Sequence, residues 1–563
     1  VLVKTPAGQA FPVMFDAQFN GLVARVTEVK RSFKSGYTDI RDYDEFLIDL
    51  VSNDDGKQLI PFMLYMIGTA NSTGMSPILC DEDGVPTGIP VQLSKNWHYT
   101  KIGDYLRAYM LLPAKPGANR YRLRIPYGFY GTLPSASHAQ LSLVGWGGNG
   151  RWDQLAIGCW GETICFDMDM SPTPQVITDV RALMVRNGVD GKKWSWTDAG
   201  WGGDWFNVSP ENEKKLAFTR MKTAYLAHGP CLTDVRYRGF YGADEEVEVS
   251  ANVQTLRTDD YMRTMQRIRY VFNRSVSAEE AYLFRMDGHT SLIPKIAYGN
   301  RDGLIEERDT PGETTPDFIT PTVLSGNGPW WVAFPGSVPT THDRGWGTAS
   351  RGLVIRSYAA SFGGVRVDRP SITVPGDFKR YHQITYDMML TPPVGVSEFK
   401  PGDWVEMDLE WITLPRIADD YYGPNETFRA HLADFPASWR TVFREAIGND
   451  LNVAVAGGKV ASRYPIVIET TSETVIVDIK GGVGFVPIRF DGLATADGYE
   501  LYEVVNGIET KLDQSVHGND FWQTDYDAGA KTFSLSFNLP LDNKPASTWK
   551  LLNRIQKHEG EGP

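Results

Sequence analysis

The sequence predicts an all-β protein: a large antiparallel multi-sheet β-sandwich, jelly-roll-like, with few helices and a small C-terminal β-sandwich module. Three observations predict this fold class. Apolar and polar residues alternate with a period of two in segments such as GLVARV, DEFLIDLVS and EVEVSANVQTL. Turn-forming runs such as DDG, DEDG and PGAN separate these segments. The 55 glycines, 34 prolines and 12% aromatic residues are typical of many short strands joined by tight turns.

The composition also restricts the classes of partner. With 42% hydrophobic and 22% charged residues, the chain has the make-up of a folded protein. A net charge of −13 argues against nucleic acid, whose phosphates require a basic surface. No apolar run reaches transmembrane length, so we expect no membrane span. The motifs of P-loop proteins, α/β-hydrolases and zincins are absent from the sequence. The sequence leaves the oligomeric state open.

The cysteines and the first residues bear on the compartment. The four cysteines fit no zinc-binding spacing, and they allow either one or two disulfides or four buried thiols: Cys80, Cys159, Cys165 and Cys231. The chain begins at Val1 without a methionine, which indicates a mature or trimmed chain whose signal peptide has been removed. Together with the aromatic, glycine-rich composition, this predicts a secreted protein, extracellular or periplasmic.

The length of 563 residues predicts two or three domains. Residues 1–240 are interpreted as an N-terminal β-sandwich that carries the Trp/Gly/carboxylate segments. Residues 241–452 are a second β-sandwich with a helical segment near 425–448, which Asn425 caps and Gly448 ends. Residues 453–563 form a C-terminal accessory β-sandwich.

Along the chain, the first segment rich in functional side chains is GIPVQLSKNWHYT, after a series of predicted strands. It places Trp97, His98 and Tyr99 together on a loop or at a strand end, where we expect them to face a ligand.

The main candidate site lies between residues 135 and 169. It combines acid–base side chains and indoles among glycines: His138, Asp153, Glu162, Trp146 and Trp160. Rings stack on the CH faces of sugars, and a carboxyl group among buried aromatics acquires the raised pKa that acid–base chemistry needs. The alternative is a sandwich core in which tryptophan fills volume and Glu162 is held by backbone donors.

A second tryptophan-rich segment, KKWSWTDAGWGGDW, repeats this combination. If WSWTD is extended, Trp194, Trp196 and Asp198 lie on one side and form a flat platform, with Asp204 a little further along. The two segments would form neighbouring walls of one cleft. The alternative is a packing layer between sheets.

Two further groups of substrate-binding candidates follow later in the chain. His342 and Arg344 lie in a loop beside tryptophans, where a salt-bridged turn is the alternative. Arg356 and Tyr358, in the strand GLVIRSYAASF, are predicted to share one face because they are two residues apart.

A resemblance extends over most of the chain. The runs GIPVQLSKNWH, SHAQLSLVGWG with AIGCWGETICFD, and DDYYGPNE resemble those of large secreted bacterial β-sandwich proteins found among polysaccharide degraders. The resemblance implies a polysaccharide substrate and assigns no role to any residue.

Three functions remain open. A glycoside hydrolase would use Glu162 as the acid, with Asp153 or Asp204 as its partner. A polysaccharide lyase would act on a uronate with a Tyr or His base and an Arg clamp, drawn from His98, Tyr99, His138, Arg344, Arg356 and Tyr358. A non-catalytic glycan-binding or cell-surface structural protein would need neither the carboxylate pair nor the base with its Arg clamp. No cofactor is required, although a structural calcium ion would suit the Asp-rich turns.

Overall fold

The computed structural model describes most of the chain between Val1 and Arg554. The backbone alone is described for residues 43, 78, 93–96, 105, 126, 140–145, 154–158, 161–166, 178–189, 192–196, 201–202, 218, 228, 256, 262, 319, 349, 379–380, 383–384, 413–415, 438, 442, 445, 448, 485 and 522. The residues outside the description are 30–42, 54–57, 68–76, 85–86, 88, 90, 97–104, 127–139, 146–153, 159–160, 167–175, 190–191, 197–200, 209–215, 229–230, 257–261, 287–294, 310–318, 336–348, 376–378, 381–382, 385–386, 416–437, 449–450, 483–484, 497, 513–521, 528, 542–543 and 555–563.

Strands make up nearly all of the regular structure. The first part of the chain forms β1 (Leu2–Lys4), β2 (Ala10–Phe11), β3 (Val13–Asp16), β4 (Gly21–Val26), β5 (Tyr43–Ser52), β6 (Gln58–Ile67), β7 (Ile78–Cys80), β8 (Gln92–Asn96), β9 (Tyr105–Ala114), β10 (Gly117–Pro126), β11 (Gln140–Gly145), β12 (Gln154–Gly158), β13 (Gly161–Phe166), β14 (Ile177–Val189), β15 (Lys192–Trp196) and β16 (Trp201–Asp204). The middle part forms β17 (Phe218–His228), β18 (Leu232–Tyr241), β19 (Val247–Leu256), β20 (Met262–Phe272), β21 (Val276–Ser277), β22 (Phe284–Met286), β23 (Lys295–Asn300), β24 (Gly303–Asp309), β25 (Ile319–Val323), β26 (Trp330–Phe334), β27 (Ala349–Phe362), β28 (Val365–Val367), β29 (Ser371–Val374), β30 (Lys379–Arg380), β31 (Gln383–Ile384), β32 (Met388–Thr391), β33 (Glu398–Phe399), β34 (Trp404–Pro415) and the helix α1 (Ser438–Gly448). The last part forms β35 (Asn452–Ala456), β36 (Gly458–Arg463), β37 (Ile466–Thr470), β38 (Thr474–Lys480), β39 (Phe485–Leu493), β40 (Tyr499–Val505), β41 (Ile508–Lys511), β42 (Trp522–Asp527), β43 (Thr532–Pro540) and β44 (Ala546–Asn553).

These strands form several large sheets, and the predicted all-β multi-sheet fold is confirmed. A 15-stranded sheet runs β25-β29-β32-β22-β16-β14-β13-β12-β11-β8-β9-β6-β4-β3, with β15 paired to β14. A ten-stranded sheet runs β17-β18-β19-β20-β34-β27-β26-β23-β24, with β28 paired to β27. The described ladders are antiparallel apart from β4–β6, β8–β11 and β37–β39.

Three hydrophobic cores hold these layers together. One end of the 15-stranded sheet packs on the five-stranded sheet β2-β1-β5-β10-β7 around Phe46 and Phe62. Its other end packs on the ten-stranded sheet, where Trp205 and Trp411 are fully buried. The C-terminal module, residues 452–553, has two five-stranded sheets around Trp549. Alternating strands explain all three cores, because every second side chain points into the sandwich.

The predicted domain boundaries stay a prediction. Residue 240 lies inside β18, which pairs with β19 from Leu232 to Tyr241. Strands from both sides of that position also share the 15-stranded sheet.

The helix α1 begins at Ser438 and ends at Gly448, the predicted stop. Trp439, Phe443 and Ile447 are buried at helical spacing against the ten-stranded sheet. Gly352 on β27 makes this packing possible, because a Cβ at that position would lie 2.5 Å from the Phe443 ring. The predicted cap Asn425 lies outside the described residues.

Candidate functional site

The candidate site is a cavity of about 1090 Å3, here called the junction cavity. Three separate parts of the fold line it: the N-terminal sandwich, the strand β17 and the C-terminal module. Large aromatic side chains come from all three, namely Phe19, Tyr109, Tyr121, Tyr225, Tyr526 and Phe533. Cavities between structural units are where ligand sites are commonly found.

The N-terminal wall is the outer face of the antiparallel strand pair β6–β9. Leu59 pairs with Pro113 and Pro61 pairs with Leu111, so these alternate residues share one face. The opposite face of this strand pair lies in the N-terminal core. Phe19 adds a ring whose centroid is 5.5 Å from that of Tyr109. Beside the junction cavity, the strand pair is therefore apolar on both faces, and its outer face borders the cavity.

The C-terminal wall is the β42–β43 hairpin. Tyr526 and Phe533 are register partners, and their ring centroids are 4.8 Å apart at 47°. The side chain of Tyr526 is 39% exposed, so one part of its ring packs on Phe533 while another remains accessible. An accessible ring held by a second ring is a suitable platform for the CH face of a sugar.

Polar side chains lie among these apolar groups. Lys115 and Lys531 are exposed, and Asp81 is half-buried. Asp525 is buried and accepts a hydrogen bond of 2.6 Å from Gln523 Nε2. The lining thus offers donors, acceptors and flat apolar surfaces together, which is what a ligand with many hydroxyl groups and apolar ring faces requires.

Of the predicted site residues, the structure describes the side chains of Asp204, Arg356 and Tyr358, and none of these three lines the junction cavity. Outside the described residues lie Trp97, His98, Tyr99, His138, Trp146, Asp153, Trp160, Asp198, His342 and Arg344. Glu162, Trp194 and Trp196 are described by their backbone alone.

The backbone nevertheless brings the two tryptophan-rich segments together on β14. Glu162 on β13 is opposite Arg181, while Trp194 and Trp196 on β15 are opposite Val185 and Leu183. Both segments therefore pair with the same strand. Their role as walls of one cleft stays a prediction.

Asp204 is fully buried within the central core. Its Oδ1 accepts hydrogen bonds from the backbone N–H groups of Val176 and Trp205 at 3.2 and 3.0 Å. Its Oδ2 accepts one from the Tyr282 hydroxyl at 3.0 Å. A carboxylate enclosed and bonded in this way organises the protein interior, and this placement argues against direct contact with a substrate.

The neighbouring glycine has a comparable internal role. A Cβ on Gly203 would lie 2.4 Å from the Arg285 carbonyl oxygen and 3.0 Å from the Trp411 ring. The glycine thus lets β16 approach β22 and an indole of the facing sheet. The flat surface that this glycine accommodates is the protein's own tryptophan, not a sugar.

Arg356 is also engaged within the protein. Its Nε donates to Glu410 Oε2 at 2.7 Å, and its Nη2 donates to the Ala446 carbonyl at 3.0 Å, near the end of α1. The guanidinium carbon lies 4.9 Å from the centre of the Tyr464 ring, which belongs to the C-terminal module. Arg356 therefore links β27, β34, α1 and the module.

The prediction that Arg356 and Tyr358 share a face is wrong. A bulge between Ile355 and Ser357 inserts one residue into β27, which shifts the alternation. Arg356 consequently points towards Glu410, whereas Tyr358 is buried in the central core. Burial raises the pKa of the Tyr358 hydroxyl well above its ordinary value.

Two cysteines are described with their side chains. Cys80 and Cys231 are both buried thiols. Burial raises the pKa of Cys80 to about 12, so its reactive thiolate form is scarce near neutral pH.

Two other features concern metals and membranes. Within the described ranges, no group of three or more His, Cys, Asp or Glu side chains is placed to hold a metal ion. The described residues also contain no helix that is long and apolar enough to cross a bilayer.

Comparison with known proteins gives little similarity. No family model matches the sequence, and no curated protein matches it. Among solved structures, the GH36 α-galactosidase AgaA from Geobacillus stearothermophilus is 9% identical over 47% of this chain and 40% of that chain, with a TM-score of 0.25. A TM-score of this size shows neither a shared fold nor a shared function, so that enzyme's activity is not transferred to this chain.

Proposed function

We propose that this is a carbohydrate-active protein that binds an oligosaccharide segment of a polysaccharide in the junction cavity. One observation supports this above all others: aromatic rings from both the N-terminal sandwich and the C-terminal module line one cavity together with polar side chains. Sugar rings have apolar CH faces and hydroxyl edges, so this lining matches both parts of the ligand.

The reaction we propose is glycoside hydrolysis by a carboxylate pair. Glu162 is the proposed acid and Asp153 its partner. The protein would act outside the cytoplasm, as its composition predicts. The strand that carries Trp194 and Trp196 pairs with the same strand as that of Glu162, and we propose that the two indoles hold the substrate chain near the acid.

The binding site is tested by replacing the exposed ring. Calorimetric titration with neutral and uronate-containing hexasaccharides identifies the bound sugar. Tyr526→Ala is then expected to weaken binding of that sugar about tenfold, the equivalent of the ~1.4 kcal/mol that a stacking contact contributes.

Two controls distinguish stacking from general damage. Tyr526→Phe keeps the ring and is expected to bind within about twofold of the wild type, because the hydroxyl contributes little to stacking. Ile508→Ala removes a side chain that is 69% exposed on β41 of the same module, and it should leave binding unchanged. Equal binding by Tyr526→Ala and the wild type would contradict the assignment of the site.

The reaction is tested separately at Glu162. Glu162→Gln removes the proton donor, so hydrolysis of the bound polysaccharide should fall by about 10²–10⁴-fold while hexasaccharide affinity is retained. Reducing ends measure hydrolysis, and absorbance in the near ultraviolet reports the unsaturated sugar that a lyase would release instead.

A matched control removes a charge elsewhere. Glu469 is exposed on β37, and Glu469→Gln should hydrolyse at the wild-type rate. Full activity of Glu162→Gln would exclude Glu162 as the acid. Binding without either product would favour the non-catalytic role.

A further inference from the structure

We infer that the C-terminal module is an integral half of the glycan site, and that Gln523 is the residue that positions this half; the inference rests on the proposed function. Strand β42 both lines the cavity and anchors the module. Thr524, Asp525 and Tyr526 line the junction cavity, and Gln523, directly before them, holds the strand against the ten-stranded sheet.

The amide of Gln523 makes three hydrogen bonds while fully buried. Its Oε1 accepts from the backbone N–H groups of Cys231 and Leu232, each at 3.0 Å. Its Nε2 donates to Asp525 Oδ2, which lines the cavity. One side chain therefore connects the cavity wall to the start of β18.

That connection fixes the geometry of two walls at once. Strand β18 pairs with β17, whose Tyr225 and Leu226 line the cavity beside the module. Because hydrogen bonds are directional, the Gln523 amide sets where β42 lies relative to β17, which apolar contact alone would not do.

A second set of contacts joins the C-terminal module to the ten-stranded sheet. Arg489 Nη1 of the module lies 3.6 Å from Asp234 Oδ2 on β18. Asp234 also accepts hydrogen bonds from the side-chain amides of Asn252 and Gln254. Tyr464 packs on the apolar side chains of Ala227, Leu232 and Met265. The docked position of the module is thus specified by buried polar and apolar contacts together.

A ligand that touches both walls binds only the docked arrangement. Binding of the ligand and docking of the C-terminal module must therefore stabilise each other, because the ligand binds the docked arrangement more tightly than the undocked one. In this arrangement the C-terminal module is a functional part of the site, and Gln523 acts on the ligand through Asp525 and Tyr526 without lining the cavity.

The test uses the full chain with three neutral probes: cellohexaose, xylohexaose and mannohexaose. With the probe that binds most tightly, Gln523→Ala is expected to lose at least about tenfold in affinity while the N-terminal wall is unchanged. The control is Thr548→Ala, which removes a side-chain hydrogen bond to Asp478 in the other sheet of the same module, and it should bind within about twofold.

A second measurement needs no variant and so does not depend on whether Gln523→Ala folds. In the wild type, the saturating probe is expected to slow hydrogen exchange at the amides of Cys231 and Leu232, since their partner Gln523 is held more firmly when the cavity is filled. Neither amide belongs to a residue that lines the cavity.

The outcomes separate this inference from the proposed function. If a probe binds but exchange at Cys231 and Leu232 is unchanged and Gln523→Ala binds normally, the positioning role is overturned while the glycan site stands. If neither these three probes nor the uronate-containing hexasaccharides bind to the wild type, the proposed glycan site fails, and the positioning role fails with it.

Discussion

Replacing Glu410 with glutamine is expected to lower the free energy of unfolding by about 3–5 kcal/mol. Glu410 is fully buried between Arg263 and Arg356, which donate hydrogen bonds to its two carboxylate oxygens. Both guanidinium groups lie over the Tyr464 ring, at 5.1 and 4.9 Å from its centre. Replacing the carboxylate with a neutral amide would remove the negative charge that Glu410 supplies to the buried Arg263 and the largely buried Arg356, so the loss far exceeds that of a surface ion pair.

The matched control is Asp408→Asn on the same strand. Asp408 pairs with Arg267 at 2.8 Å, but the arginine side chain is 67% exposed, so the pair contributes at most about 1 kcal/mol. Denaturant unfolding gives the free energy of unfolding of both variants, and so compares the buried carboxylate of Glu410 with the more exposed carboxylate of Asp408 on the same strand. Equal losses in the two variants would contradict the importance of burial.

The same network predicts the direction of a pH effect. Burial raises the pKa of Glu410, but Arg263 and Arg356 outweigh that effect and hold it below the ordinary value of 4.5. The stabilisation is therefore complete above pH 4.5 and is lost as the pH falls through the lower folded-state pKa. We expect the stability difference between wild type and Glu410→Gln to be constant from about pH 6 to 8 and to shrink in acid.

Replacing Asp204 with alanine is expected to cost about 3–5 kcal/mol of stability, whereas asparagine costs about 1 kcal/mol. Alanine leaves the N–H groups of Val176 and Trp205 and the Tyr282 hydroxyl without their acceptor inside the core. Asparagine keeps the Oδ1 acceptor for both backbone groups, and its amide donates to the Tyr282 oxygen instead.

This pair of variants also separates structure from catalysis. If Asp204 is structural, Asp204→Asn should retain full hydrolytic activity once a substrate is found, because the fold and the site are preserved. A catalytic carboxylate would lose activity in both variants, however stable the asparagine variant is. Thermal unfolding and product assays on the same preparations decide between the two roles.

Local sequence patterns were sufficient for the fold class. Period-two alternation, as in EVEVSANVQTL of β19, corresponds to the observed strand because burial on one face of a sheet imposes that period directly. The helical segment predicted near 425–448 likewise contains α1, in which Trp439, Phe443 and Ile447 are buried at helical spacing, because the apolar face of a helix is encoded within three turns.

The alternating pattern gave a wrong prediction in β27, where one extra residue shifts the alternation of side chains between the two faces of the strand. The spacing of Arg356 and Tyr358 predicts one face, but the bulge in β27 places them on opposite faces. A bulge depends on how the neighbouring strand pairs, and the alternating sequence of β27 carries no sign of it.

The stacked β-sheets and the small β-sandwich at the end of the chain follow from local periodicity, which can be read directly from the sequence. Which residues meet depends instead on how the sheets pack. Tyr109 and Tyr526 lie on one cavity although more than 400 positions separate them, and neither stands in a distinctive motif. The burial of Asp204 and the pairing of Arg356 with Glu410 were also decided by packing, because whether a charged side chain faces solvent, substrate or another charge depends on long-range contacts that local sequence does not encode.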